Sequence, residues 1–141
     1  MNNSLNEYYY EDIFIGQKES FVIKITESMV RTFGDFSGDL NPLHMDTKFA
    51  ESTPFKKRIV HGMLLSTFFS RLVGMNLPGK NALYFSQTLN FRSPCYIDDE
   101  IEVVGEVTEK SDSTKMITVT TSIFNKSKIC LIDGVAKIIV R

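Results

Sequence analysis

The sequence predicts an α+β domain in which a curled antiparallel sheet wraps one long buried helix. Gly62 to Val73, GMLLSTFFSRLV, is apolar on nearly every side and holds no helix breaker, which marks a helix set into a core rather than laid on a surface. From Leu83 onward the chain changes to two-residue alternation, the period of strands. With 141 residues the whole of it, 1–141, makes one domain, so helix and sheet share a core.

Each element follows in order. Phe21, Ile23 and Ile25 alternate with polar neighbours and predict a first strand. Thr26 then offers a hydroxyl cap, and Met29, Val30 and Phe33 recur at helical spacing until Ser37-Gly38 ends the run. Asp39 to Arg58 reads as irregular, broken by Pro42 and Pro54, with a short helix near Asp46 to Ser52. Loops of that length in a compact domain usually carry function. The buried helix begins at Gly62 and stops at Gly74 and Pro78-Gly79. Strand patterns follow around Leu83 to Phe91, Ile101 to Val107, Ile117 to Ile123 and Ile129 to Val140, the last with a bulge expected at Gly134. Ser93-Pro94, Lys110 to Lys115 and Asn125 to Lys128 supply the turns.

Composition narrows the function. Hydrophobic residues make up 43% and charged residues 23%, and 16 Lys+Arg against 17 Asp+Glu leave a net charge of −1. A chain so balanced has no general attraction to nucleic acid or to anionic lipid, so neither is expected as a partner. Cys95 and Cys130 stand far apart in no CxxC pairing, and two thiols make a poor disulfide framework, so a reducing cytoplasm is expected. The first residues lack the basic and apolar regions of a secretory signal. Val60 to Leu77, the most apolar stretch, is interrupted by His61 and Arg71, and a membrane span is not expected.

The chain has two histidines, His44 and His61, and no spacing of His, Cys and carboxylate that marks a metal site, so no metal is expected. It has no phosphate-cradling glycine loop and no GxSxG elbow. One segment differs. Ser37-Gly38-Asp39-Leu40-Asn41-Pro42-Leu43-His44 sets a carboxylate, a carboxamide and an imidazole within six positions, among apolar neighbours. Such a loop can hold Asp39 and His44 together for proton transfer, with Asn41 orienting either. It can equally be a polar turn, since Asp, Asn and Pro are turn formers. Spacing alone leaves both readings open.

Asp39-x-Asn41-Pro42-x-His44, followed by Ile59-Val60-His61-Gly62-Met63-Leu64 and Phe69-Ser70, resembles the signature of the (R)-specific enoyl-CoA hydratases of the MaoC-like dehydratase family. The similarity runs through nearly the whole chain. It implies a hot-dog fold with the long helix as its filling and the Asp39 loop overhanging it. It implies reversible syn hydration of a trans-2-enoyl-CoA to the (R)-3-hydroxyacyl-CoA, with Asp39 and His44 as the catalytic pair. Gly62, at the start of the helix, becomes a candidate oxyanion donor, and the alternative for a glycine there is close packing. Asn41 and Ser70 take supporting positions. His61 is read as structural, and Lys56-Lys57-Arg58 as a solvated run. No cofactor is implied, because coenzyme A belongs to the substrate. The resemblance also implies a homodimer or a dimer of dimers that closes the exposed edge of the sheet.

The nearest rival is a hot-dog acyl-CoA thioesterase. Many of those carry a carboxylate on the central helix, and Gly62 to Met75 has none. The other rival is a non-catalytic acyl-thioester-binding protein; a DNA-reading sensor would need more than the short leader before Phe21.

Overall fold

The computed structural model describes residues 4–141. Its strands are β1 (Lys18–Lys24), β2 (Ala82–Gln87), β3 (Asn90–Phe91), β4 (Glu100–Ser111), β5 (Met116–Asn125) and β6 (Cys130–Val140). They pair antiparallel in one six-stranded sheet, in the order β1-β4-β5-β6-β2, with β3 also on β6. The helices are α1 (Glu27–Ser37), α2 (Pro42–Met45), α3 (Thr47–Glu51) and α4 (Gly62–Arg71), and α4 runs on into a wider π-helical turn, Leu72–Asn76. The curled sheet and the long helix are therefore as the sequence predicts.

Helix α4 buries Leu64, Leu65 and Phe69, and Leu72 and Val73 of its extension, on the concave face of the sheet. Leu64, Leu65, Phe69 and Leu72 meet Ile23, Ile101, Val103, Ile123, Leu131 and Ile132 from four strands. Each such side chain, fully removed from water, stabilises the fold by about 1.5–3 kcal/mol. Met63, Thr67 and Ser70 on the opposite side of α4 are exposed in the single chain. A second cluster under the far end of the sheet gathers Tyr10 and Ile13 with Val73, Leu77, Val107, Ile117 and Ile138. Tyr10 is fastened there by its hydroxyl, which donates to Asp112 Oδ1 at 2.7 Å, and by Lys110, whose ammonium donates to the Tyr10 and Ile13 carbonyls.

Local chemistry explains the helix starts. The Thr26 hydroxyl accepts the Met29 amide, and Asp46 accepts the Phe49 amide at the head of α3. The stretch from Asp39 to Arg58 is less irregular than its prolines suggest. Pro42 sits at the first position of α2, where a helix has no use for the missing N–H.

Two strand features differ from the sequence reading. The single run expected from Leu83 to Phe91 splits into β2 and β3, and the apolar row it carries is not covered: Leu83 is 51%, Phe85 65% and Phe91 55% exposed. These strands form one border of the sheet, where Phe91 turns one side of its ring to Gly62 and the row otherwise faces outward. The bulge expected at Gly134 is also elsewhere. Gly134 stands in regular register opposite Thr121, and the register shift in β6 falls at Leu131, between the Ile123–Ile132 and Phe124–Cys130 pairs. Gly134 is required for another reason. The crossover between β2 and β3 presses on it so closely that a Cβ there would lie 1.8 Å from the Thr88 carbonyl oxygen. Gly134→Ala should therefore cost about 1–3 kcal/mol or more, as overpacking against backbone does; a urea unfolding midpoint equal to that of the native chain would contradict this.

Candidate functional site

A chain of side-chain caps shapes the loop after α1. The Ser37 hydroxyl accepts the Asp39 amide at 3.1 Å, Asp39 Oδ1 accepts the Asn41 amide at 3.3 Å, and Asn41 Oδ1 accepts the Leu43 amide at 2.9 Å. Each short polar side chain binds the amide two residues on, which turns the backbone without a regular element. Asn41 thus caps α2 and shapes the loop; its oxygen does not reach the Asp39 or His44 side chain.

His44 lies on α2, half buried. Its Nδ1 is 2.8 Å from the Ile59 carbonyl oxygen. A carbonyl can only accept, so Nδ1 carries the proton and Nε2 presents its lone pair. His61, directly before α4, is 1% exposed, and its Nε2 is 2.9 Å from the Asp39 carbonyl oxygen. By the same reasoning Nε2 of His61 is the protonated nitrogen, while its Nδ1 is buried without a hydrogen-bond partner. The His61 ring packs against His44, with centroids 4.1 Å apart, and edge-on to Phe33 at 4.8 Å. Burial, foremost, pushes the His61 pKa below its ordinary 6.5, although the Asp39 carbonyl bond works the other way. His61 is therefore a neutral, wedged ring, in keeping with a structural role.

The fold brings the exposed Asp39 to this pair: one donor atom from each of Asp39, His44 and His61 lies within 4.8 Å of the others. No linear spacing marks this cluster as a ligand set, because its members come from a loop, a one-turn helix and a helix cap. Two of its ring nitrogens are already spent on backbone carbonyls. Each ring keeps one unbonded nitrogen, that of His61 buried, and the half-buried His44 ring with the nearby carboxylate makes an arrangement suited to taking up and returning a proton.

Beside it opens a cavity of about 370 Å³, lined mainly by apolar groups including Phe55, Ile59, Leu65, Phe91 and Leu131, with His44 and Gly62 on its wall. Gly62 is the first residue of α4, and its N–H lies in the first turn, where amides have no partner within the helix. Close packing is also real there, since a Cβ on Gly62 would come within 2.6 Å of the Phe91 ring. Asp39, Asn41 and Ser70 do not line the cavity, and Ser70, two turns along α4, is exposed. Cys95 does line it, buried, and burial together with nearby Asp99 pushes its thiol up to about 12. It stays protonated at neutral pH and is no nucleophile.

Arg58 departs from the solvated run expected of Lys56-Lys57-Arg58. Its side chain is only 10% exposed. Its Nε donates to the His44 carbonyl, and one terminal nitrogen donates to both carboxylate oxygens of Glu27 at 3.0 and 2.8 Å. A third cation in a basic run reads as surface, and only its position next to apolar Ile59-Val60 hints otherwise. Lys57 remains outside, with its ammonium 5.6 Å from the centre of the Tyr96 ring.

Comparison with known proteins gives consistent results. The MaoC like domain matches residues 14–128. An (R)-specific enoyl-CoA hydratase of Aeromonas caviae is 38% identical over 126 residues, 89% of this chain and 94% of that protein. A 3-hydroxybutyryl-CoA dehydratase of Methylorubrum extorquens is 44% identical over 105 residues, 74% of this chain and 67% of that protein. Among solved structures, the (R)-hydratase from A. caviae involved in PHA biosynthesis superposes with a TM-score of 0.91 at 37% identity, covering 93% of this chain and 99% of the other. The unliganded R-hydratase from Pseudomonas aeruginosa superposes with a TM-score of 0.92 at 34% identity, covering 96% and 87%.

The buried imidazole makes stability depend on pH. Because folding holds the His61 pKa below 6.5, the unfolded chain gains a proton that the folded one refuses as pH falls through that value. The contribution is whole above pH 6.5 and is lost below it. The urea midpoint of the native chain should fall between about pH 7 and about pH 5.5, and His61→Gln should flatten that slope. Equal slopes in both proteins would rule out His61 as the source.

Proposed function

The chain belongs to the MaoC-like domain family, and from that premise we propose that it is an (R)-specific enoyl-CoA hydratase. As such it is a hydro-lyase that adds water reversibly and syn across a trans-2-enoyl-CoA to give the (R)-3-hydroxyacyl-CoA. The observation that carries this reading is the meeting of the Asp39 carboxylate with the His44 ring next to an apolar cavity that includes the first amide of α4.

The chemistry follows from the free atoms. The apolar cavity takes the acyl chain, and the Gly62 N–H donates a hydrogen bond to the thioester oxygen. Water sits between Asp39 and His44 Nε2. Asp39 draws a proton from it as the water oxygen bonds to the β-carbon. The electron pair of the double bond then moves through the α-carbon onto the thioester oxygen, where the Gly62 amide and the positive end of α4 hold it. As that enolate collapses, the proton returns through the pair to the α-carbon, on the face from which the water came. A single water held on one side accounts for syn addition. Phe91, packed on Gly62, confines the oxygen to the amide, and Asn41 keeps the loop in shape. Ser70 is left to the exposed side of α4, where a second copy of the chain would meet it. The reaction needs no metal and no cofactor beyond the coenzyme A of its substrate.

The exposed row of Leu83, Phe85 and Phe91, together with Met63 at 55% exposure, supports a homodimer formed along the β2 border. No helix among the described residues is long and apolar enough to cross a membrane, and both cysteines are free thiols, which suits a reducing cytoplasm.

Hydration of crotonyl-CoA, followed as loss of enoyl-thioester absorbance, should slow by about two orders of magnitude or more in Asp39→Asn and in His44→Ala, with an (R) alcohol from the native enzyme. Native rates in both folded variants, or an (S) product, would refute the reading. Sedimentation should give a dimer or a dimer of dimers; a fully active monomer would exclude assembly as part of the site.

A further inference from the structure

We propose that Arg58 is a positioning residue for His44, anchored by Glu27, and that this clamp fixes the nitrogen on which the imidazole carries its proton. It rests on the reading of His44 as the group that handles the reacting water. Residues 58 and 59 grip residues 43 and 44 at three points. The Ile59 amide donates to the Leu43 carbonyl at 3.3 Å, the Ile59 carbonyl accepts from His44 Nδ1 at 2.8 Å, and Arg58 Nε donates to the His44 carbonyl. The first two bonds share the Ile59 residue and act as a hinge. The guanidinium bond is the third point, and it stops His44 from swinging about that hinge.

The fork of the guanidinium extends the clamp to a second element. Its terminal nitrogen holds both oxygens of Glu27, the first residue of α1, whose far end launches the loop bearing Asp39. Arg58 thus ties α2, which carries one member of the pair, to the helix that leads into the other. Lysine has one point charge and cannot span both acceptors. The site also pays a cost that packing alone does not require: the other terminal nitrogen of Arg58 is buried without a partner. Helix α1 has its own cap in Thr26, so Glu27 is not needed for that purpose.

Disturbing the clamp should change the chemistry without changing what binds. In the full-length chain, Arg58→Gln should lower kcat for crotonyl-CoA about tenfold or more while KM moves less than about twofold, since misplacing a reacting group acts on the chemical step. Nitrogen-15 spectra of the ring, assigned by their loss in His44→Ala, should show the native His44 protonated on Nδ1 alone and Arg58→Gln as a mixture of tautomers. Arg58→Lys should fall between the two, and Glu27→Gln should shift kcat and spectrum in the same direction by less. Arg58→Gln that folds with native kcat and a single tautomer would overturn the proposal. If Arg58→Gln does not fold, native kcat and native spectra in both Arg58→Lys and Glu27→Gln would overturn it equally. Full activity in His44→Ala would instead sink the assignment of His44, and the tautomer alone would then decide whether the clamp exists.

Discussion

One hydrogen bond, from the His61 ring to the Asp39 backbone carbonyl, carries the rest of the site. It ties the loop after α1 to the residue directly before α4, and the ring that donates it is buried. Because the bond needs a proton on Nε2 and the surroundings disfavour a second proton, the ring is confined to one neutral form. A neutral ring is a flat apolar wall on its faces, and His44 packs against one of them. Without that bond Asp39 itself would be held by turns that lie at the surface, with the next anchor at Leu43 and His44, which Ile59 and Arg58 grip.

The division of labour between backbone and side chains follows from this. Ile59 occupies one nitrogen of His44 and Asp39 occupies one nitrogen of His61, so carbonyl oxygens rather than carboxylates set both tautomers. The Asp39 carboxylate is thereby left free to act toward a reactant, apart from one amide of its own turn. The apolar walls beside the pair come from Leu65 of α4, from Phe55 and Ile59 of the loop before it, and from Phe91 and Leu131 of β3 and β6. One buried helix therefore serves as core, as cavity wall and as the source of unpartnered amides.

Much of this was legible in the sequence. The unbroken apolar run from Gly62 and the two-residue alternation after Leu83 report burial directly, so they located α4 and the sheet. The Thr26 cap was readable because capping is a local event. What escaped is non-local. Gly134 looked like a bulge since a glycine in a strand has few other local meanings, whereas its cause is Thr88, which is 46 positions away in sequence and pressed onto it by the crossover. Leu83 and Phe85 alternate as buried residues do, but their strand lies at the border of the sheet. The motif singled out Asp39, His44 and Gly62, and the fold brings the first two within 4.8 Å of each other and sets His44 and Gly62 on one cavity wall. Arg58 was not singled out, because nothing in a run of three cations shows that one of them turns inward to meet Glu27.

The thiol of Cys95 acquires meaning from the molecule this cavity would hold. An α,β-unsaturated thioester is a Michael acceptor, and a sulfur anion in the same wall would add to its β-carbon in competition with water, leaving a thioether adduct and a blocked enzyme. Burial and Asp99 keep that sulfur protonated and soft-nucleophile chemistry silent. For such a substrate the apolar packing that shapes the cavity would also guard the enzyme against self-alkylation, because it denies the sulfur its charge.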